Sequence, residues 1–332
     1  MSTFFITGFN NKNLITLYPL PEGGARGKID GSCGVSKFMS FPNGQLDSAT
    51  LFGEPTTTEI TIPKRVKLIF NEISDPDSHS NALDRCEELC AKSQLPVINH
   101  PKKIKGTTRE RVAESLQGIP HLTIPKTIRF TPTKPTEIYD EIERSSMGFP
   151  VILRTAGSHG GKTSMLIEGT KDIDKLHIYA YDGSDFYLTA YVDYVSDDGL
   201  YRKYRIAVIG GVPIFRHHLV SDTWMIHASS EQFMSTKKAL MAESKAKRLS
   251  FDSETLPLIR PAIDEITNKL GLEYYGIDCS IDDNGNMLIF EVNANMNILY
   301  NPVKALDDQL NRIKRQIRLL IKQHAIDTST EK

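Results

Sequence analysis

The chain has 332 residues, of which 24% are charged, and its formal net charge is −1. The near-neutral balance argues against nucleic acid or an anionic membrane surface as a partner and favours a small molecule or a local peptide. A chain of this length is predicted to form two or three domains with substantial cores. Its apolar runs are strand-sized, so we predict no membrane span. Its N-terminus, MSTFFITGFN, lacks a signal-peptide pattern, so we predict no signal peptide.

The first part of the chain is predicted to be an α/β domain. Residues 1–63 show only short possible strands between turn-rich segments. The segment KRVKLIFNEI then predicts a buried strand, followed by an amphipathic helix and the short strand PVINH. This β-α-β order indicates a parallel sheet. Asn71 and Asp75 follow the first of these strands, where α/β folds bind ligands, so both are candidate substrate contacts.

Two of the four cysteines, Cys86 and Cys90, lie at helical i, i+4 spacing on an apolar stripe. No second pair of cysteines or histidines completes a metal or redox site with them, so we predict core thiols. Free thiols predict a reducing, cytoplasmic compartment.

The rest of the chain is predicted to be α+β. A helix in KGTTRERVAESLQG is followed by extended structure, and a second helix, TEIYDEIERSSMG, precedes two strands joined by a glycine-containing loop. Another strand pair turns at Gly210-Gly211. Helices are then predicted over 231–248 and 253–270, and an amphipathic helix closes the chain.

The segment YGIDCSIDDNGNMLIFEVNAN predicts a β-hairpin with an acidic face. Asn284-Gly285 is typical of a two-residue type I′ turn, because both positions need a positive φ. That register sets Asp278 directly opposite Glu291, with Asn293 on the same face, and like charges so placed are destabilising. Carboxylate and amide oxygens suit Mg²⁺ held with a phosphate, although a solvent-exposed polar face is the alternative. The other face is predicted to pack under helices: Ile277, Cys279, Ile281, Leu288, Phe290 and Val292.

The segment RTAGSHGGKTS combines glycine amides, hydroxyls and the cations Arg154 and Lys162. Such a loop can hold phosphates through its N–H groups, although a simple turn is the alternative. Its spacing does not match a P-loop.

Together these segments resemble the ATP-grasp superfamily. FPVILRTAGSHGGKTSMLI, YLTAYVDY, KYRIAVIGGVPI and the acidic hairpin occur in that order and approximate spacing. The closest likeness is to ATP-grasp proteins that sometimes carry tetratricopeptide repeats. The resemblance implies a pre-ATP-grasp parallel-sheet domain, 1–104, before a two-subdomain ATP-grasp fold. Its glycine-loop subdomain would span 105–190, and its metal-binding subdomain 191–332.

The resemblance also implies roles for individual residues. Asp278, Glu291 and Asn293 would hold two Mg²⁺ ions that bridge the phosphates of ATP. Arg154 stands where a lysine usually contacts phosphate and adenine, and Arg205 matches an arginine aimed at the transferring phosphoryl group. Lys105 would be a second phosphate contact. The remaining nucleotide contacts would be the phosphate loop, Ser158, His159, Gly160, Gly161 and Lys162, and the adenine hinge and ribose contact, Ala190, Tyr191, Val192 and Asp193.

Two departures from the family pattern concern the substrate. NANMNILYNP replaces the usual Ser/Thr-Pro-Gly turn of the acceptor site, and Lys203 stands where an acidic residue is usual before the strand arginine. The segment FRHHLVSDTWMIH supplies candidate substrate contacts, although simple strand and core packing is the alternative: Arg216, His218, Trp224 and His227.

The function implied is an ADP-forming carboxylate-amine ligase that acts through an acyl phosphate, with Arg205, Lys162 and Arg154 offsetting charge. An amino acid or peptide would be its substrate, and a homodimer is compatible with the resemblance. A kinase on the same fold and a non-catalytic nucleotide-binding module are the alternatives. Replacing Asp278 or Glu291 by its amide is expected to leave a folded but nearly inactive protein.

Overall fold

The computed structural model describes residues 2–20, 23–39, 46–54, 59–158, 161, 163–227, 230–299 and 307–330. Within them the chain forms three main sheets and a separate two-stranded hairpin. The strands are β1 Ser2–Gly8, β2 Thr16–Pro19, β3 Ala25–Lys28, β4 Asp47–Leu51, β5 Val66–Asn71, β6 Val97–Ile98, β7 Leu122–Thr123, β8 Thr127–Phe130, β9 Val151–Thr155, β10 Met165–Ile167, β11 Phe186–Ala190, β12 Tyr201–Ile209, β13 Val212–Ser221, β14 Tyr274–Ile281 and β15 Met287–Ala294. The helices are α1 Ser80–Ser93, α2 Pro101–Lys105, α3 Arg109–Ser115, α4 Thr136–Arg144, α5 Ser230–Ser235, α6 Lys238–Ser250, α7 Leu256–Leu270 and α8 Asp307–Thr330.

The first sheet has the order β4-β1-β5-β6, and its strands pair in parallel. Helix α1 connects β5 to β6, which confirms the predicted β-α-β unit. The central position of β1 was not predicted from the weak pattern of residues 1–63. Phe4, Phe5 and Ile6 are all buried, as expected for a strand that is covered on both faces.

The second sheet, β10-β9-β11-β8, is antiparallel and carries the glycine-containing loop between β9 and β10. Helix α4 packs on it through Ile138 and Ile142, which join Val151, Leu153 and Phe186 in a core of its own.

The third sheet has the order β13-β12-β14-β15-β7, with only β7 parallel to its neighbour. Gly210 and Gly211 have φ values of 57° and 72°, so the predicted turn between β12 and β13 is confirmed. One parallel sheet beside largely antiparallel ones confirms the α/β and α+β class.

The first and third sheets share two apolar cores. In one of them Ile6 and Ile69 of the first sheet join Ile206 and Ile277 of the third. In the other, α8 contributes buried residues beside Phe5. The predicted domains 1–104 and 191–332 are therefore packed together, whereas the second sheet has a separate core.

The predicted segment 105–190 contains elements of two units. Val112 and Leu116, on and just after α3, lie in the core shared by the first and third sheets, and β7 pairs with β15. The second sheet begins only at Thr127. The boundary at 105 is therefore about twenty residues too early for this sheet, because the apolar face of α3 packs against the larger core.

All four cysteines are free and buried, which confirms the prediction that Cys86 and Cys90 are core thiols. Across the part of the chain that the structure describes, no helix is long and apolar enough to cross a membrane.

Candidate active site

A cavity of about 530 Å³ lies between the second and third sheets. This volume is typical of sites for small molecules. Its lining contains five cations, Arg109, Arg154, Lys203, Arg205 and Arg216, against three carboxylates, Glu231, Asp278 and Glu291. The excess of positive charge favours an anionic ligand.

The acidic hairpin places Asp278 directly opposite Glu291, as predicted. The turn, however, is a three-residue loop, in which Asp282 pairs with Asn286 and Gly285 has a φ of 81°. This shifts the register by one, so that Cys279 faces Ile289. A bulge at Phe290 then restores the register before Glu291. The predicted pairing is correct at the acidic pair and wrong nearer the turn.

The same bulge changes which residues face the cavity. Met287 and Ile289 are buried in the shared core, although Ile289 also borders the cavity, whereas Leu288 and Phe290 are less buried and line the cavity. The prediction that Leu288 and Phe290 pack under helices is therefore wrong. Two apolar side chains instead flank the approach to Glu291.

A second bulge lies in the neighbouring strand pair. Arg205 of β12 pairs with His217, and Ile206 pairs with Phe215, so Arg216 is the extra residue of β13. Consecutive strand residues normally point to opposite faces, but Arg216 and His217 both line the cavity.

Asp278 is buried between two cations. Arg205 donates to both of its carboxylate oxygens, at 2.6 and 2.7 Å, and Lys203 donates to Oδ2 at 3.2 Å. Burial by itself raises the pKa of Asp278, but the charges of Arg205 and Lys203 outweigh it and hold that pKa well below its ordinary value. Lys203 therefore supplies a counter-charge for Asp278, at the position where the ATP-grasp pattern usually has an acidic residue.

Glu291 is paired with an arginine that the sequence analysis missed. Arg109 donates to Glu291 Oε1 and is the first residue of α3. Burial raises the pKa of Glu291, but Arg109, Arg154 and a hydrogen bond with Asn293 lower it below its ordinary value. A cation at a helix N-terminus opposes the helix dipole, so Arg109 directly after Thr108 was a signal that could have been used.

The structure tests how well the predicted metal ligands suit Mg²⁺. Among the described residues, no group of three or more His, Cys, Asp or Glu side chains could hold a metal ion. Glu291 and Asn293 nevertheless offer a carboxylate and an amide oxygen on one face, and Asp278 lies opposite. These oxygens fit Mg²⁺ that takes its other ligands from a nucleotide phosphate and water. Asp278 is already neutralised by Arg205 and Lys203, so its repulsion with Glu291 does not by itself require a metal.

Arg154 extends from β9 toward the same end of the cavity. Burial, followed by the nearby charge of Arg109, lowers its pKa to about 10. A phosphate oxygen bound between Arg109 and Arg154 would relieve this repulsion and make charge-assisted hydrogen bonds.

The predicted phosphate loop is described only in part, since His159, Gly160 and Lys162 lie outside the described residues. The Ser158 hydroxyl donates to Thr155 O at 2.7 Å and therefore holds the start of the loop. Gly161 lines the cavity.

Three residues of the predicted adenine hinge, Ala190, Tyr191 and Val192, line the cavity. The N–H of Ala190 donates to Lys126 O at 2.9 Å and that of Tyr191 to Pro150 O at 3.1 Å. These two N–H groups cannot then donate to a base. Asp193 is exposed and accepts from Val195 N at 3.2 Å, and it is not among the lining residues.

Of the two neighbouring histidines in β13, the structure brings His217 rather than His218 to the cavity. His218 is buried against Tyr204, with 4.7 Å between ring centroids, so its prediction as a substrate contact is corrected. The Nε2 atom of His217 is buried and has no hydrogen-bond partner among the described residues. Burial, and then the charge of Arg205, holds the pKa of His217 well below its ordinary value, so the ring is neutral.

The other predicted substrate residues, Arg216, Trp224 and His227, do line the cavity, together with Glu231 of α5. Arg216 is held in place by a 2.7 Å bond from its Nε to Ile298 O. Trp224 stacks edge-on against Tyr191, with 6.0 Å between ring centroids. The cavity lining therefore includes a guanidinium, a carboxylate and an indole.

Asn71 does not reach the cavity. It is fully buried, donating from Nδ2 to Asn99 O at 3.0 Å and accepting at Oδ1 from Ile73 N at 3.1 Å. Asp75 is also buried and turned back into its own loop, where it accepts from Asp77 N at 2.9 Å. Their prediction as substrate contacts is corrected, because the buried backbone of the loop uses both side chains.

Asn295, in the segment that departs from the family pattern, completes this polar network. Its Nδ2 donates to Asn71 O at 3.0 Å and Ile73 O at 2.8 Å, and its Oδ1 accepts from Asn99 at 2.7 Å. The segment after β15 thus joins the first sheet to the third, and its exposed Asn297 lines the cavity.

Lys105 lies away from the cavity lining. Its Nζ donates to Glu87 at 2.6 Å and pairs with Asp84, both on α1. Arg109, four residues further along the chain at the start of α3, lines the cavity instead and pairs with Glu291.

Comparison with known proteins gives structural but no sequence similarity. No protein-family model matches the sequence, and no curated protein matches it. The D-alanine–D-alanine ligase of Bacillus anthracis aligns with a TM-score of 0.56 at 10% identity, over 100% of this chain and 99% of that one. A structure of that enzyme with ATP aligns equally well, at 9% identity over the same shares. The VanG D-Ala:D-Ser ligase of Enterococcus faecalis aligns with a TM-score of 0.59 at 12% identity, over 97% of this chain and 99% of that one.

At these identities the similarities concern the fold. They extend over nearly the whole chain, including the first sheet, and not only over the part with the quoted motifs. The chain has the ATP-grasp fold.

Proposed function

We propose that this protein is an ATP-dependent ligase that joins a carboxylic acid to an amine and releases ADP and phosphate. The observation that supports this most is one cavity of an ATP-grasp fold in which two opposed carboxylates, Asp278 and Glu291, each pair with an arginine. The similar structures are named as ligases.

The phosphates of ATP would lie at the end formed by Arg109 and Arg154, the strongest concentration of positive charge near Glu291. Lys162 of the glycine-containing loop would also contact the phosphates. The base would lie between the hinge and the apolar side chains Leu288 and Phe290, because flat apolar surfaces suit a purine ring.

Magnesium would be held by Glu291, Asn293 and Asp278. When bound, it would neutralise phosphate charge and help align the groups that react. Arg205 would remain beside Asp278, with its guanidinium directed at the cavity.

In the first step a substrate carboxylate oxygen attacks the γ-phosphorus of ATP. An O–P bond forms, the bond to the bridging oxygen breaks, and ADP leaves. In the second step the amine nitrogen attacks the acyl carbon, a C–N bond forms, phosphate leaves and the nitrogen loses a proton. Both steps develop negative charge on oxygen, which Arg205 and Arg154 would stabilise without a protein nucleophile.

The substrate would lie at the end formed by Arg216, His217, Trp224 and Glu231. A guanidinium beside a carboxylate suits a molecule that carries both charges, such as an amino acid or a short peptide. Three properties remain predictions from the sequence: a cytoplasmic location, the absence of a nucleic-acid or membrane partner, and formation of a homodimer.

A substrate screen tests the proposal directly. ADP release would be measured with Mg-ATP and pairs of carboxylic acids and amines, and the product would be identified by mass spectrometry. We expect release that needs both partners and an amide product. Glu291→Gln should lower the rate by about 10² to 10³, as is common when one preorganised contact is lost.

Glu254→Gln is the matched control, since Glu254 is an exposed carboxylate on the helical segment Phe251–Thr255. It should keep wild-type turnover. Binding of Mg-ATP can be followed by fluorescence, because Trp224 is the single tryptophan and lines the cavity. ADP release with a hydroxyl acceptor and a phosphorylated product would indicate a kinase instead. Absence of Mg-ATP binding would refute the nucleotide site.

A further inference from the structure

A loop of the first sheet reaches the second sheet and makes a polar contact outside the cavity. The loop lies between β5 and α1 and carries Asp77, whose side chain is only 11% exposed. Asp77 accepts hydrogen bonds from the Tyr187 hydroxyl at 2.8 and 3.0 Å and from Arg129 Nη1 at 2.9 Å. It also accepts from the backbone N–H of Gly157 at 3.3 Å.

The three donors come from three parts of the second sheet. Arg129 lies on β8, Tyr187 on β11, and Gly157 in the loop directly after β9. One carboxylate in the loop between β5 and α1 therefore contacts β8, β11 and the start of the glycine-containing loop. Arg154 of β9 pairs with Tyr187 in the sheet register, so the contact lies close to the proposed phosphate site.

The backbone is also brought close at this point. A β-carbon added to Gly157 would lie 3.2 Å from the β-carbon of Ser78, the neighbour of Asp77, and Gly157 has a φ of 69°. Glycine is the residue best suited to both requirements. The start of the glycine-containing loop is thus fitted against the first sheet.

The charge of Asp77 is only partly offset within the contact, and burial raises its pKa above the ordinary value. Arg129 also bonds Asp185 through Nε at 2.7 Å and Nη2 at 2.6 Å, so its guanidinium bridges two carboxylates. Burial, and then Asp77, raises the pKa of Tyr187, which remains a neutral donor. Burial of these charged groups costs solvation energy, so the contact need not add net stability.

We propose that Asp77 is a positioning residue of the nucleotide site: it fixes the second sheet, and with it Arg154 and the start of the glycine-containing loop, over the cavity. The second sheet has its own core. If the contacts of Asp77 are lost, fewer contacts set the position of that sheet relative to the third sheet. The role in nucleotide binding depends on the proposed function, whereas the role in holding the second sheet does not.

The test compares Asp77→Ala, Asp77→Asn and Tyr187→Phe with wild type. Tyr187→Phe keeps the ring in place and removes one hydroxyl, so it remains informative where Asp77→Ala fails to fold. Asp140→Asn is the matched control, because Asp140 is exposed on α4, which packs on the same sheet. Hydrogen–deuterium exchange without nucleotide measures how firmly β8, β11 and the Gly157 amide are held.

We expect faster exchange at these amides in Asp77→Ala and Tyr187→Phe. The Kd for Mg-ATP, measured by Trp224 fluorescence, should rise about tenfold in Asp77→Ala, as expected for the loss of one charge-assisted contact. Asp77→Asn should recover part of this affinity, because it still accepts from Gly157 and Tyr187. The KM for ATP should rise more than kcat falls, because Asp77→Ala displaces Arg154 but leaves Arg205 in place, and Asp77→Asn should restore part of both values.

Wild-type exchange in both Asp77→Ala and Tyr187→Phe would overturn the proposal. So would faster exchange with an unchanged Kd for Mg-ATP. If wild type itself did not bind Mg-ATP, the proposed function would fail, and the exchange data alone would decide whether Asp77 holds the second sheet.

Discussion

Replacing Asp278 by asparagine tests the ion pairs beneath the cavity. The change keeps the size of the side chain and removes its charge. Arg205 and Lys203 then lose the carboxylate that they share, and their side chains are only 25% and 10% exposed. The structure therefore predicts a substantial loss of stability, whereas the sequence alone predicted a folded and merely inactive protein.

The size of this loss follows from burial. Removing one partner of a buried ion pair commonly costs about 3 to 5 kcal/mol, because a charge remains without its partner. Arg205 can reach water in the cavity, so we expect a value near the lower limit, about 3 kcal/mol. Adding Lys203→Met should restore part of the loss, since it removes the more deeply buried of the two unpaired cations.

Urea denaturation at pH 7 without nucleotide measures this effect, with Trp224 fluorescence and far-ultraviolet circular dichroism as probes. Asp283→Asn is the control, because Asp283 is an exposed carboxylate in the turn of the same hairpin. A loss below about 1 kcal/mol in Asp278→Asn, equal to that of the control, would refute the reasoning, because exposed pairs contribute no more than this.

Three further outcomes follow from the contacts. Arg109→Met should weaken Mg-ATP binding roughly tenfold or more, whereas Lys105→Met should leave the fluorescence-derived Kd unchanged. Asn295→Ala should lower the free energy of unfolding by about 3 kcal/mol, because it leaves buried backbone carbonyls without donors, and the exposed Asn297→Ala should not, as judged by urea denaturation. Burial lowers the pKa of His218 to about 4 in the folded protein. As the pH falls, the unfolded protein therefore binds a proton at this histidine before the folded protein does. As the pH falls from 6.5 to 4, wild type should lose about 3 kcal/mol of stability through this histidine. Thermal unfolding over the same pH range should show that His218→Leu lacks this loss.

Several local features could be predicted because they depend on short-range chemistry. The β-α-β unit and the Gly210-Gly211 turn follow from hydrophobic pattern and turn residues. The pairing of Asp278 with Glu291 was predicted correctly only because the three-residue loop and the bulge at Phe290 shift the register in opposite directions. Of the cations around the two carboxylates, Arg154 and Arg205 were named from the sequence as phosphate contacts, whereas the pairing of Arg109 and Lys203 with the carboxylates was not predicted.

The errors came from register and long-range contacts. A bulge adds one residue and reverses every side chain beyond it, so a sequence pattern with a strict period of two cannot place such residues. This is why Phe290 was assigned to the core, and why His218 was chosen in place of His217. Lys105 was named and Arg109 was missed, because Lys105 ends α2 whereas Arg109 begins α3, and only the packing of α3 brings its first residue to Glu291.

The sequence by itself determined the order of the elements, the acidic hairpin and the kind of ligand that the charges favour, since each depends on neighbours along the chain. Only the tertiary structure decided which cations meet which carboxylates. Arg205 and Lys203 reach Asp278 from a strand more than seventy residues away, and the backbone carbonyl of Asn71 accepts a hydrogen bond from Asn295, more than two hundred residues along the chain. Such partners are chosen by sheet pairing and burial, which bring together charges and amides that no local pattern connects.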